Sequence, residues 1–348
     1  MNAVLREEQT APVSDAEADA LFSALANEHC LLVAVSGGPD SIAMLGLLSE
    51  WARRCGYLSL QAATVDHGLR PEAADEAAAV AEFCRTLGVP HATLRWRGEK
   101  PATAIQASAR RARYTLLGEE AERLGGAAIV TAHTLDDQAE TVLMRLAHGS
   151  GPAGLAGMKP IAMRGGLGLH RPLLPVAKAR LVATAMARAW PFVTDPSNRD
   201  ARFERVRWRA LMPRLAEEGL TAARLSALAA RLGRMNEALD QRTQALLPML
   251  VSPKGEALLI DFRTLAEEPG EIILRVLAAA LTQIADYGSE LHRLARLETC
   301  VSAFREAARG RRREARTLAG CRLVLASDGR LTITREGERR RGVHPAAP

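Results

Sequence analysis

No apolar run in the sequence approaches the roughly 20 residues that a membrane-spanning helix needs, which excludes an α-helical membrane protein and a membrane partner of that kind. The five cysteines (Cys30, Cys55, Cys84, Cys300 and Cys321) include no CxxC pair. Scattered in this way they supply neither a zinc or iron–sulfur framework nor a disulfide scaffold. They read as small buried hydrophobes in a reduced, cytoplasmic setting. The first 20 residues are mixed and acidic, without the apolar core of a signal peptide, and read as a flexible leader. There is no internal repeat. No Gly-Lys-Ser/Thr triplet follows the glycine-rich turn at residues 36–41, so the Walker phosphate loop is excluded too.

Enough is present for two or three domains: 348 residues, of which 48% are hydrophobic. The formal net charge is +6 and the sequence pI about 9.4. That balance points to an anionic partner and leaves RNA, DNA and a membrane surface open. The first half alternates strand and helix signals. Strands are predicted at 31–35, 58–65, 89–96 and 127–132, and helices at 42–54, 71–87, 104–124 and 134–146. Such alternation predicts an α/β fold, a doubly wound parallel sheet with helices on both faces. Ligands of such sheets bind beyond the C-terminal strand ends.

The most informative stretch is LLVAVSGGPDS, residues 31–41. An apolar strand enters Ser36-Gly37-Gly38-Pro39-Asp40-Ser41, and a helical run leaves it. Two glycines let the backbone turn tightly and approach a ligand. Pro39 suits a first helical position. The expected product is a nest of N–H groups at a helix N-terminus, suited to phosphate. The alternative is a plain strand–helix turn with Asp40 near the positive end of the helix dipole.

A second constellation, TAHTLDDQAET at 131–141, also ends a strand and starts a helix. Asp137 and Glu140 share a helix face, and His133 sits at the strand end. Carboxylates beside a phosphate site suit Mg²⁺ held mainly through water and nucleotide oxygens. A capping box of Thr134 and Asp137 explains the same residues structurally, and the two roles are compatible. Asp66-His67 falls at a third strand end, where Asp66 either lines a nucleoside pocket or caps a loop.

Residues 149–175 read as a long Gly/Pro-rich loop, a length that is often functional. From 178 to 214 the pattern is helical and basic. Arg205, Arg207 and Arg209 interleave there with Phe203 and Trp208, which suits an RNA backbone with rings that stack or pack. A helix is expected over 221–247, ending before Pro248, and another helical region over 271–308. The run Arg309–Arg316 contains Arg311 and Arg312. A hairpin over 321–335 should turn at Asp328-Gly329. The domain boundaries that follow are a leader to 20, a catalytic domain 21–215, a helical domain 216–310, a small module 311–340 and a disordered tail 341–348.

Seven motifs stand in one order: SGGPDS, VDHGLR (65–70), ARRARY (109–114), TAHTLDDQAET, GSGPAGLAGM (149–158), RPLL (171–174) and DPSN (195–198). Together they resemble the tRNA(Ile)-lysidine synthases of the N-type ATP pyrophosphatase superfamily. The resemblance is firm over about 28–215 and weaker over 316–335, which is similar to a reduced tRNA-binding module. It departs from the family at His133-Thr134, His148 and Arg205-Val206.

The resemblance implies an adenine nucleotide alpha hydrolase-like fold and a ligase. ATP adenylates the wobble cytidine of a CAU-anticodon isoleucine tRNA, and free lysine displaces AMP. Decoding then changes to AUA. It implies Ser36, Gly37, Gly38, Pro39, Asp40, Ser41, Asp66 and His67 at ATP, with Asp40 and Asp137 at Mg²⁺. Asp40, His133, Asp137, Glu140, Arg113 and Arg205 would carry the chemistry. Arg70, Arg207, Arg209, Arg311 and Arg312 would contact tRNA. Whether the chain forms a homodimer stays open. The competing reading is a tRNA thiolase of the same superfamily.

Overall fold

A computed structural model describes residues 10–56, 58–68, 73–98, 100–101, 105–193, 200, 202–285 and 291–336, with 291–294 described in backbone alone. The chain divides into two compact units. One reaches to His148 and resumes over Gly154–Arg231, and the other joins Gly149–Ala153 to the residues from Leu232 on.

The elements of the first unit are α1 (Asp15–Phe22), β1 (Cys30–Ala34), α2 (Pro39–Cys55), β2 (Ser59–Asp66), α3 (Ala73–Leu87), β3 (His91–Arg95), α4 (Ile105–Arg123), β4 (Ala128–Thr131) and α5 (Leu135–Ala147). After the short α6 (Pro152–Leu155) come β5 (Ile161–Arg164), β6 (Leu167–His170), α7 (Lys178–Ala187) and α8 (Glu204–Glu217). The long α9 (Ala222–Leu250) follows.

Six strands form one sheet in the order β3-β2-β1-β4-β6-β5, parallel except for β5 at the edge. The order reverses between β1 and β4, which makes their C-terminal ends the switch point of the sheet. Ala34 pairs with both Ala63 and Thr131, so the loops after β1 and β4 leave the sheet side by side. Leu31, Leu32 and Val33 are fully buried, as a central parallel strand requires. Helix α2 is apolar almost all round, with Ile42, Met44, Leu45, Leu47 and Leu48 in the core. It ends at Gly56, whose left-handed φ of 77° lets its N–H close on Ala52 O.

Within the first unit the sequence reading changes at the leader and at residues 149–175. The leader is not loose over its second half. Ser14 and Glu17 form a capping box for α1, Phe22 is fully buried and tilts on Trp51 at 5.7 Å, and Val13 N donates to Thr184 Oγ1. So short a helix has too few apolar positions for its period to be read. The stretch 149–175 is not one loop either, because it holds α6 and the β5–β6 hairpin, and β6 extends the main sheet beside β4. Gly165 and Gly166, both at positive φ, make the hairpin turn that looked like plain loop composition.

The second unit packs α11 (Gly270–Ile284) and α12 (Leu291–Arg309) with a five-stranded antiparallel sheet, β7-β8-β11-β10-β9. Its strands are β7 (Val251–Lys254), β8 (Ala257–Asp261), β9 (Glu314–Leu318), β10 (Cys321–Leu325) and β11 (Arg330–Arg335), with the one-turn α10 (Phe262–Leu265) after β8. Helix and sheet residues share one core, including Phe262, Val276, Phe304, Leu323 and Ile333. The helical region and the C-terminal strands are therefore one body, not the separate pieces 216–310 and 311–340. The hairpin does turn at Asp328-Gly329, but Arg309–Arg316 spans a helix end, a turn and the start of β9. Helix α9 also runs past Pro248 to Leu250.

Candidate active site

Three helices bring their N-termini to the switch point. Gly38 caps α2 in extended conformation and Pro39 opens the helix. Gly37, at φ 81°, takes the turn that an L side chain resists, and its carbonyl accepts from Val193 N at 2.9 Å. Ser41 Oγ accepts from Ser36 N at 3.1 Å, lies 3.3 Å from Ser36 Oγ and donates to Gly38 O at 3.0 Å. The loop is thus braced from within before any ligand arrives. Its amides, the helix dipole and two hydroxyls form the nest that the sequence suggests.

Helix α5 begins at Thr134, and the capping box is real. Asp137 Oδ2 accepts from Thr134 N at 2.9 Å and from Thr134 Oγ1 at 3.0 Å, while Thr134 Oγ1 accepts from Asp137 N. Asp137 Oδ1 faces Arg205 Nη2 at 3.4 Å. Helix α7 closes the set. Leu135 N donates to Val176 O, and Lys178 N donates to Asp136 Oδ2 at 2.7 Å, which ties the starts of α5 and α7 together. The Lys178 ammonium then reaches across to form an ion pair with Asp40 Oδ2. Lys178 is a residue that sequence reasoning missed.

The electrostatics distinguish the carboxylates. Burial pushes the Asp40 carboxyl above its ordinary range, and Asp137 and Asp136 add to this against the pull of Lys178. Its Oδ1 is buried with no hydrogen-bond partner. Burial acts on Asp137 in the same sense, but the Arg205 charge and the cap bonds from Thr134 outweigh it and hold that carboxyl low. One oxygen of Asp40 therefore awaits a partner, whereas Asp137 is already committed on both. Among the described residues no cluster of three or more His, Cys, Asp or Glu side chains could hold a metal ion by itself. Mg²⁺ in such a setting takes one or two carboxylates and completes its shell with water and phosphate oxygens. Asp40 fits that role better than Asp137.

Glu140 is assigned differently from the sequence reading. It is 1% exposed, and its two oxygens are gripped by Arg205 Nε at 2.6 Å and Arg209 Nε at 2.7 Å. It fastens α8 to α5 and has no free oxygen for chemistry. The same clamp occupies Arg209, so this side chain is not the free phosphate contact it was read as. His148 Nε2 lies 3.0 Å from Glu204 Oε1, which also accepts from Trp208 Nε1, and this adds a tether at the start of α8. Trp208, half-buried, packs against the cluster that holds Leu225 and Ala229.

His133 lies beside Thr131, with 2.9 Å between its Nδ1 and Thr131 Oγ1. Burial lowers its pKa to about 4, opposed by Asp137 and helped by Arg171, Arg110 and Arg205. His67 is also lowered to about 4, by burial and then by the Arg113 charge. Its ring meets Trp96 edge-on at 6.0 Å, and its Nδ1 is buried without a partner. Asp66 Oδ1 accepts from Gly68 N at 2.8 Å, the loop-cap geometry. Arg207 is exposed on α8, while Arg311 and Arg312 lie in the second unit, where Arg312 pairs with Glu306. Arg70 and the DPSN motif lie outside the described residues.

The class follows from this arrangement: a strand, a phosphate-type nest and a helix at the switch point of a parallel sheet, matched as a PP-loop domain over residues 11–215. The same fold occurs in a U34-tRNA thiolase from Methanococcus maripaludis, with a TM-score of 0.56 and 18% identity over 64% of this chain and 78% of that one. Two relatives bear a more particular name. A tRNA(Ile)-lysidine synthase from Methylobacterium nodulans is 49% identical over 314 residues, 90% of this chain and 92% of that one. Another, from a Bradyrhizobium species, is 46% identical over 355 residues, 97% and 99% of the two chains. The chain belongs to the tRNA(Ile)-lysidine synthase family.

Two outcomes are expected. Glu140→Gln weakens the clamp on two guanidinium groups at a buried site, and the chain should lose about 3 kcal/mol in urea unfolding. A loss under about 0.5 kcal/mol would return Glu140 to the reactive groups. Both imidazoles bind protons less readily folded than unfolded, so their contribution is intact above pH 6.5 and is lost as pH falls toward 4. His67→Gln should flatten the fall in unfolding free energy between about pH 7 and 5. An unchanged slope would mean that His67 is freely solvated.

Proposed function

We infer that this chain is a ligase that joins free lysine to the wobble cytidine of a CAU-anticodon isoleucine tRNA and converts ATP to AMP and diphosphate. The observation that carries the reading is the extent of the likeness: tRNA(Ile)-lysidine synthases align with nearly the whole chain at up to 50% identity. The intact Ser36–Ser41 nest supports it, because adenylation requires that the diphosphate be held as it leaves.

The residue chemistry is mainly positioning and charge stabilisation. The amides of Gly37 and Gly38 and the start of α2 receive diphosphate oxygens, with the Ser36 and Ser41 hydroxyls as further partners. Mg²⁺, held through Asp40, would neutralise charge on the phosphates. Lys178 pairs with Asp40 in the free chain. It is a second cation for the same phosphates once Asp40 has another partner. His67 and Asp66 border the end of β2, the Arg113 charge acts on His67, and the three suit the nucleoside.

The wobble cytosine presents its O2 to the α-phosphorus. That O2–P bond forms as the bond to diphosphate breaks. The incoming lysine ammonium first gives a proton to solvent, its free ε-amine attacks C2, AMP leaves with the oxygen, and the bound nitrogen gives a second proton to solvent. Asp137, ionised and fixed by its cap, orients the incoming ammonium. His133 is neutral at physiological pH and positions groups without carrying charge. Arg205, which also touches Asp137 O, offsets negative charge beside them.

The test combines the chain with ATP, Mg²⁺, radiolabelled lysine and the CAU isoleucine tRNA, with methionine tRNA as control. Label should enter the isoleucine tRNA alone. Asp40→Asn should lower that rate about a hundredfold or more while the melting temperature holds. ATP cleavage without lysine incorporation would favour the thiolase reading, and a folded sample that does neither would end the ligase assignment.

A further inference from the structure

Four arginines meet beside the site with no ion-pair partner among the described residues. Arg110 lies on α4, Arg145 on α5, Arg164 at the end of β5 and Arg171 just after β6. Tyr114, itself buried, lies beside Arg110, Arg164 and Arg171, and Arg145 is linked to the group through Arg110 and Arg171. The Arg110 guanidinium is 5.1 Å and that of Arg164 4.5 Å from its ring centroid, and Tyr114 also acts electrostatically on Arg171. Backbone carbonyls hold the two sequestered members. Arg145 Nη1 donates to Gly154 O at 2.7 Å and to Gly157 O at 2.9 Å, and Arg171 Nη1 donates to Lys159 O at 2.8 Å.

The unusual point is what does not face them. Among the described residues none of the four has an ion-pair partner. The charges that act on Arg145 are Arg110 and Arg171, both repulsive. Several other arginines of this unit are paired: Arg54 with Asp19, Arg188 with Asp15 and Glu50, Arg205 and Arg209 with Glu140. Arg171 is only 8% exposed, and its Nε is buried with no partner at all. An unpaired guanidinium held that far from water is costly. A bound anion would offset that cost.

The cluster stands apart from the nucleotide nest. It is built on α4, the β5–β6 edge and the body of α5, whereas the nest belongs to β1 and α2. The charges that act most on Asp40 are Lys178, Asp137 and Asp136. It nevertheless borders the reaction, because Arg171 and Arg110 both act on His133 at the end of β4. Arg110 and Arg164 are exposed, so the outer half of the cluster is open to a large ligand.

We propose that Arg110, Arg145, Arg164 and Arg171 form a phosphodiester site for the RNA backbone next to the reacting base, separate from the Ser36–Ser41 nest. The assignment rests on the tRNA reading above. The guanidinium fork matches phosphate oxygens two at a time, and such contacts fix register without reading sequence. Arg145 and Arg171, locked on carbonyls, give the site its rigid floor. Arg110 and Arg164 supply its rim. The same phosphate chemistry occurs in ATP, and the test separates the two sources.

The double variant Arg110→Gln/Arg164→Gln changes only exposed side chains, and Arg164→Gln alone is the fallback if the double variant melts early. Binding of the CAU isoleucine tRNA transcript is measured across a salt series, with ATP binding in parallel. The tRNA Kd should rise about tenfold. The salt dependence should become shallower by about 0.7 for each phosphate that is no longer neutralised. ATP affinity should stay within about twofold. An unchanged tRNA Kd and slope would overturn the assignment, and so would an ATP Kd that rises as much as that of tRNA. If wild type forms no lysidine, the functional reading fails first. Lysidine formation by wild type with an unaffected variant defeats this site alone.

Discussion

Every helix that reaches the site from the sheet arrives N-terminus first, and the rest follows from that constraint. Right-handed crossovers in a parallel sheet place helix starts at the C-terminal strand edge. At the β1/β4 switch point three of them gather: α2 at Gly38, α5 at Thr134 and α7 at Ala177. Their partial positive charges and unpaired amides favour anions there. Asp40, Asp136 and Asp137 occupy those positions in the free chain, and phosphates are the natural competitors for the nest.

Such a concentration of acids at a buried edge must itself be balanced. Each carboxylate has been given a mechanical task that also supplies the balance. Asp136 caps α7, Asp137 caps its own helix and meets Arg205, and Glu140 bolts α8 to the body through two arginines. Asp40 keeps a buried oxygen without a partner, with Lys178 on the other. Asp136 and Glu140 are spent on support, Asp137 combines its cap with an ionised charge at the site, and Asp40 is left poised for a cation. On another flank the imbalance has the other sign, in Arg110, Arg164 and Arg171 beside Tyr114 with Arg145 next to them.

What could be read from the chain is what depends on local pattern. The four strands with their intervening helices, the nest and the α5 start are consecutive, with strong periods and clear glycine or cap signals. The misses are of two kinds. Helix α1, β5–β6 and β7–β8 are too short for a period to emerge, and two of them hide in Gly- or Pro-bearing segments. The contacts of Lys178, 138 residues from Asp40, and of Arg205, 65 residues from Glu140, are made by the fold and leave no spacing to recognise. For that reason Glu140 read as a reactive acid and Arg209 as a free cation, when each answers the other. The resemblance supplied the order of motifs. It did not tell supporting residues from reacting ones.

The central claim is that this chain activates the RNA base itself, by adenylation at the switch point, before lysine attacks. ATP labelled at the α-phosphorus, supplied with Mg²⁺ and the CAU isoleucine tRNA but no lysine, tests it most directly. Label should appear in acid-precipitable RNA and leave as AMP when lysine is added. AMP formed at the same rate without RNA, with no labelled RNA at any time, would contradict the account.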